Sequence, residues 1–160
     1  PALERVTPLN VPITADLPGA VLFACSMNAI RSPMASALMR HLTNNKVYAK
    51  SAGVHLGEND PFAIAVMEEI GIDISQHEPV TLSELYDTSF DLIVTLAPEA
   101  HRQALEMTRT MAVAVEYWPT IDPSIETGSR ERRLDAYRNC RDQLMHRIKE
   151  RFGLTGGPVV

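Results

Sequence analysis

The chain has 160 residues, 45% of them hydrophobic and 22% charged, a balance expected of one globular domain with a sizeable core. A formal net charge of -5 argues against a broad nucleic-acid or anionic-membrane surface, and no apolar run approaches the roughly 20 residues of a membrane span. Two cysteines are too few for a disulfide framework, and the scarcity of His–Cys clusters argues against a structural zinc site.

Residues 1–18 are rich in Pro, weakly periodic, and read as an N-terminal arm. They lack the basic region and long apolar core of a secretory signal, which predicts a cytoplasmic protein. Residues 19–155 read as one domain and 156–160 as a short tail. The first apolar run, Ala20 to Ala24, is hydrophobic on both faces, as a buried parallel strand is. A helix follows, with Ser32 as its expected cap, Pro33 in its first turn, and Met34, Ala37, Leu38 and His41 or Leu42 as a stripe. A second strand is predicted over Lys46 to Ser51. Asp60-Pro61 starts a helix that runs to Ile70 and stops at Gly71. Glu78 to Tyr86 reads as loop with a short helix. Phe90 to Leu96 is a third strand, Pro98 opens a helix ending near Thr108, and Met111 to Tyr117 is a fourth strand. Leu134, Tyr137, Leu144, Met145, Ile148 and Phe152 mark one face of a long last helix, whose Arg- and acid-rich remainder reads as a solvated face.

This β-α alternation predicts an α/β fold: a parallel sheet with right-handed crossovers and helices on both faces, wound as in flavodoxin. Ligands in such sheets bind beyond the carboxyl ends of the strands. Cys25, the segment from Ser51 to Asp60, and Asp122 all fall at that end. Asp91 opens the third strand and falls at the other.

The segment Cys25-Ser26-Met27-Asn28-Ala29-Ile30-Arg31-Ser32-Pro33 joins the first strand to the first helix. A loop of this length can curl its backbone N–H groups around one phosphate, and the helix adds further N–H groups and the positive end of its dipole. Arg31 offers a planar fork for two phosphate oxygens. The same positive field favours the thiolate of Cys25, and Ser32 can donate to it. Asn28 tolerates the left-handed backbone a tight loop needs. Cys, Arg and Ser or Thr fall at these offsets by chance roughly once in 150 trials at ordinary residue usage, before the strand and helix context is counted. Cys140, in mid-helix, reads as a buried structural thiol.

These residues resemble the low-molecular-weight protein tyrosine phosphatase family, which includes thioredoxin-type arsenate reductases. The resemblance spans about residues 19–153. It rests on Val21 to Cys25, Asn28 and Arg31 to Met34, with Ser51-Ala52-Gly53, Gly71-Ile72, His77, Phe90 to Val94 and Asp122-Pro123. It implies a four-stranded parallel sheet and a phosphomonoester hydrolase. In that reading Cys25 is the nucleophile and forms a phosphocysteine, Arg31 clamps phosphate, and Asp122 is the general acid and base. Residues 26–32 form the phosphate-binding loop, braced by Ser51 and His77. No metal or organic cofactor is implied. The expected partners are a phosphorylated protein or small aryl phosphate, with inorganic phosphate or another oxyanion in the pocket.

Several readings stay open. Asp122-Pro123 is also ordinary turn chemistry, with Glu58 and Asp60 the next acids, although Asp60 also suits the cap of the helix at Pro61. His77 reads as a loop brace or a simple turn residue. His55 reads as a residue of the pocket mouth or of the solvated loop, and His41, His101 and His146 as surface. Tyr117 and Trp118 read as pocket wall or core. The loop departs from the family at Met27, where Gly is usual, and at Ile30, where many members carry a second Cys; no disulfide can form within it. Ser124 and Ile125 stand where phosphotyrosine-directed members often have aromatic rings. No Cys occurs from Ala97 to Arg109, where a thiol-relay reductase would need one. The rival expectations are an arsenate reductase drawing on an external thiol, and a silent oxyanion-binding pseudo-phosphatase.

Overall fold

In the computed structural model, residues 17–85 and 89–154 are described. The expected arm over 1–18 and tail over 156–160 fall almost wholly outside them. Four strands, β1 (Ala20–Cys25), β2 (Tyr48–Gly53), β3 (Leu92–Thr95) and β4 (Ala114–Tyr117), form one sheet in the order β2-β1-β3-β4. Every pairing is parallel, and the register aligns Cys25 with Gly53 and Thr95 with both Ala24 and Tyr117. The helices are α1 (Arg31–Leu42), α2 (Pro61–Glu68), α3 (Pro98–Met107) and α4 (Arg130–Phe152), with short 3-10 turns at Leu82–Leu85 and Pro123–Ile125.

Strand alternation divides the core. Val21, Phe23 and Cys25 point into the layer shared with α1, α2 and α4. Leu22 and Ala24 point into the smaller layer with Ala97, Ala100 and Ala104 of the α3 region. The doubly apolar β1 is therefore covered on both faces, as a central parallel strand must be. Trp118 belongs to the core, edge-on to Phe23 and against Phe152. No helix among the described residues is long and apolar enough to cross a membrane.

Some boundaries differ from expectation for local reasons. β2 starts two residues late, because Asn44 and Asn45 hold left-handed turns at φ 54 and 61 and Lys46 N–H still bonds the turn carbonyl of Thr43. β4 starts at Ala114, because Met111 N–H closes a turn on Thr108. Asp60 does cap α2, accepting from the N–H groups of Phe62 and Ala63. Ser32 does not cap α1: the helix begins at Arg31, no side chain caps it, and the Ser32 hydroxyl is used elsewhere.

Two residues read as surface are not. Arg141, on the supposed solvated face of α4, is buried, bonding the carbonyl of Val66 and the carboxylate of Glu69. His101 is half-buried; its Nδ1 lies 2.8 Å from Thr95 Oγ1 and its ring stacks on Tyr117. Both pair a polar tip with an apolar body, which hydropathy patterning scores as exposed.

Candidate active site

β1 ends at Cys25 and α1 begins at Arg31, so the loop between them sits at the carboxyl edge of the sheet. Its backbone is held from outside. Val54 N–H donates to the carbonyl of Cys25 at 3.1 Å, His55 N–H to that of Ser26 at 2.8 Å, and Gly57 N–H to that of Met27 at 2.8 Å. His77 Nε2 donates to the carbonyl of Asn28 at 3.0 Å. In a planar trans peptide the next N–H points opposite its carbonyl. Four carbonyls drawn outward therefore turn the N–H groups of Ser26, Met27, Asn28 and Ala29 toward the inside of the loop. The uncapped start of α1 faces the same way, which makes a nest for an anion.

Asn28 is the hinge of the loop. It is fully buried and holds φ 51, a left-handed value Asn accepts better than most residues. Its Oδ1 accepts from Val80 N–H at 2.8 Å, and its Nδ2 donates to Ser32 Oγ at 2.9 Å. Ser32 Oγ lies 3.0 Å from Cys25 Sγ and 3.3 Å from the carbonyl of Ala52. Because Asn28 donates to Ser32, the single hydroxyl proton has two acceptors, the carbonyl of Ala52 and the Cys25 sulfur, of which a charged thiolate would be the stronger.

Arg31 is buried to 8% exposure, and its Nη1 donates to the carbonyl of Thr120 at 2.8 Å. Its Nη2 lies 3.9 Å from Asp122 Oδ2. Asp122 Oδ1 accepts from both the N–H and the hydroxyl of Ser124, at 2.9 and 2.8 Å, an Asx turn that leaves Oδ2 toward Arg31. Cys25, Met27, Ala29, Ile30, Arg31, Glu58, Asp60, Asp122 and Ser124 line one cavity of about 210 Å³. Such a space fits a tetrahedral oxyanion and the start of its ester group. Among the described residues, no three His, Cys, Asp or Glu side chains converge on a metal position.

The other candidates separate clearly. Asp60 is heavily engaged: one oxygen caps α2 through two N–H groups and the other accepts from Tyr137 OH at 2.8 Å, which ties the carboxylate to a structural role. Glu58 lines the cavity without such ties. Ser51 faces away into a second cavity beside α1, not into the loop's hydrogen-bond network. His55 is exposed and paired with Glu99 at 3.0 Å. Burial, above all, holds the His77 imidazole below its ordinary range, with Arg40 and Lys50 pushing the same way, and a neutral ring facing a carbonyl carries its proton on Nε2. Cys140 is buried in the core, and burial pushes its thiol up to about 12.

Sequence reasoning missed four supports. Gly53 lies so close to the loop that a Cβ there would meet Asn28 N at 2.6 Å, and a Cβ on Gly57 would meet Met27 at 3.0 Å. The Ser51-Ala52-Gly53 run that ends β2 carried the signal for Gly53. Ser124 was visible only as a missing aromatic ring, yet it orients Asp122. The Thr120 carbonyl that holds Arg31 is backbone, and no side-chain pattern reveals it.

Comparison with known proteins agrees with this geometry. The family model described as low molecular weight phosphotyrosine protein phosphatase matches residues 20–151. An arsenate reductase of Bacillus subtilis (strain 168) is 31% identical over 136 residues, covering 85% of this chain and 96% of the relative. Among solved structures, a low molecular weight protein tyrosine phosphatase from T. tengcongensis superposes with a TM-score of 0.69 at 27% identity, covering 82% of this chain and 95% of that one. An arsenate reductase in a phosphate-binding state gives a TM-score of 0.64 at 27% identity, with 83% and 95% covered.

Proposed function

The chain belongs to the low molecular weight phosphotyrosine protein phosphatase family, and we propose that it hydrolyses phosphate monoesters, aryl phosphates of the phosphotyrosine type on proteins among them. One observation carries this reading: the Cys25 sulfur, the Arg31 guanidinium and the Asp122 carboxylate line one cavity at the end of a nest of inward N–H groups. The arsenate reductase of similar fold in a phosphate-binding state supports an oxyanion as the ligand.

The Cys25 thiolate attacks phosphorus, the bond from phosphorus to the ester oxygen breaks, and Asp122 gives its proton to that oxygen. Arg31 and the loop N–H groups hold the equatorial oxygens as charge redistributes. Water then attacks the phosphocysteine, Asp122 takes back a proton, and the Cys25 thiolate leaves with Ser32 donating to it. A cytoplasmic setting suits this chemistry, since the nucleophile works only as a reduced thiol. The test is incubation with an aryl phosphate and mass spectrometry of the trapped phosphocysteine. A folded chain that hydrolyses no aryl phosphate overturns the proposal.

The relatives named arsenate reductases favour a second reading, in which the same nest holds arsenate. The chain has two cysteines, and Cys140 is held as a buried, protonated thiol on α4. The two electrons would then come from an external thiol such as glutathione or mycothiol. A coupled assay with those thiols tests it, and absence of turnover with each counts against it.

A further inference from the structure

A larger cavity, about 840 Å³, opens beside α1 and β2 and shares no lining residue with the cavity of Cys25. Its volume is that of small-molecule sites, roughly 300–1,000 Å³. Basic groups converge on it: Arg40, Lys46 and Lys50, with the hydroxyls of Ser36 and Ser51 beside them. Arg40 is half-buried and gives one N–H to the carbonyl of Ala49 at 2.9 Å. Among the described residues it has no carboxylate at ion-pair distance, and burial alone lowers its pKa. A desolvated cation without a counter-charge draws an anion. Two exposed carboxylates, Asp73 and Glu78, also line the cavity and suit the hydroxyls of a bound molecule.

The cavity also reaches two residues that hold the catalytic loop. His77 and Val80 line it, and these residues supply two of the hydrogen bonds that fix Asn28: His77 Nε2–H to its carbonyl and Val80 N–H to its Oδ1. Asn28 in turn donates to Ser32, which stands against Cys25. The path from cavity to sulfur is thus an unbroken run of contacts, each within hydrogen-bond distance. The charges of Arg40, Lys50 and Glu78 all act on His77, so a ligand that neutralises the two cations changes the field at the ring.

We propose that this cavity is a second, regulatory site for a hydroxyl-bearing organic phosphate of the sugar-phosphate class. Its phosphate pairs with Arg40 and Lys50, and its occupancy alters turnover at Cys25 through His77, Val80 and Asn28. The site nearest in chemistry, the catalytic nest, is silenced by Arg31→Ala, with Arg31→Lys as the substitute should that variant not fold. Ribose 5-phosphate titrated into the silenced chain by calorimetry binds at one site. The exposed-lysine variant Lys46→Gln/Lys50→Gln weakens that binding about tenfold or more, the loss of charge-assisted contacts. In the chain with Arg31 intact, saturating ribose 5-phosphate changes kcat for an aryl phosphate, and His77→Gln abolishes that change while binding persists. Binding lost with Arg31, binding indifferent to the lysines, or binding without effect on kcat overturns the proposal. The calorimetric arm needs no hydrolysis, so failure of the phosphatase reading and failure of this one are distinguishable.

Discussion

Ser32 Oγ lies 3.0 Å from Cys25 Sγ, although Ser32 sits in the first turn of α1 and Cys25 closes β1. The start of the helix thus delivers a hydroxyl to the sulfur and leaves its own N–H groups for an anion. Ser32→Ala removes the donor without disturbing the loop's outward carbonyl bonds. The expected loss is about 10- to 100-fold in kcat, the range for a hydrogen bond to a charged group, with KM for an aryl phosphate little changed. Steady-state kinetics beside a thermal melt checks it; a loss seen in KM alone contradicts the assignment.

Asp122 is aimed by Ser124, which occupies one carboxylate oxygen with two hydrogen bonds. Asp122→Asn can neither give nor take the proton, so its deficit grows as the leaving group becomes poorer. Ser124→Ala keeps the acid and loosens its aim, so kcat falls by less, about three- to tenfold, the value of one neutral hydrogen bond. A series of aryl phosphates of graded leaving-group acidity separates the two. Equal deficits across the series for Asp122→Asn would remove it from proton transfer.

His77 gives the stability of the fold a pH dependence with a definite sign. Its pKa is lowered in the folded chain, mainly by burial, so below the ordinary range near 6.5 the unfolded chain binds the extra proton. This contribution is fully present above about pH 6.5 and is lost as pH falls toward the lowered folded value. His77→Gln should flatten the slope of unfolding free energy against pH in that window. Urea melts from pH 5 to 8 measure it, and an unchanged slope would show that His77 titrates alike in both states.

Gly53 is the close approach on which the nest depends. A methyl there meets the backbone of Asn28, Met27 and His55 at 2.6 to 2.8 Å, and none of these is a flexible side-chain end. Gly53→Ala should cost about 1–3 kcal/mol of stability through overpacking and distort the loop's N–H directions, raising KM as well as lowering kcat. Denaturant melts and phosphate inhibition constants report the two effects separately. The contrast is Gly71, at φ 80 with open space around it, where a substitution strains the backbone and leaves the site untouched.

The sheet, its order of elements and the Cys25–Arg31 loop were legible because each rests on a local signal. β1 is apolar on both faces, and the loop carries chemistry at fixed offsets between a strand and a helix. Asp122 was legible from its place after β4. What escaped were contacts set by tertiary packing. Ser32 looked like a cap because Ser before Pro usually is one, and only the fold shows its hydroxyl turned to the sulfur. Ser51 lies on β2 two residues before Gly53, and strand alternation sends its side chain to the α1 face. Arg141 was scored as surface because its partner Glu69 is distant in sequence, and His101 because its contacts with Thr95 and Tyr117 form only once α3 packs on the sheet.

Neither chemistry proposed for the site draws on Cys140. It lies in the same core layer as Cys25, buried at 4% exposure on the regular helix α4, with its thiol pushed up to about 12. A relay thiol must ionise near neutral pH and must move to its partner, and a helical core position opposes both. Cys140→Ala should therefore leave aryl phosphate hydrolysis intact, and also any arsenate turnover driven by external thiol. The substitution removes little buried volume, so stability should drop by no more than about 1–2 kcal/mol. Arsenate turnover abolished in a folded Cys140→Ala chain would make Cys140 the resolving thiol and require α4 to open during the cycle.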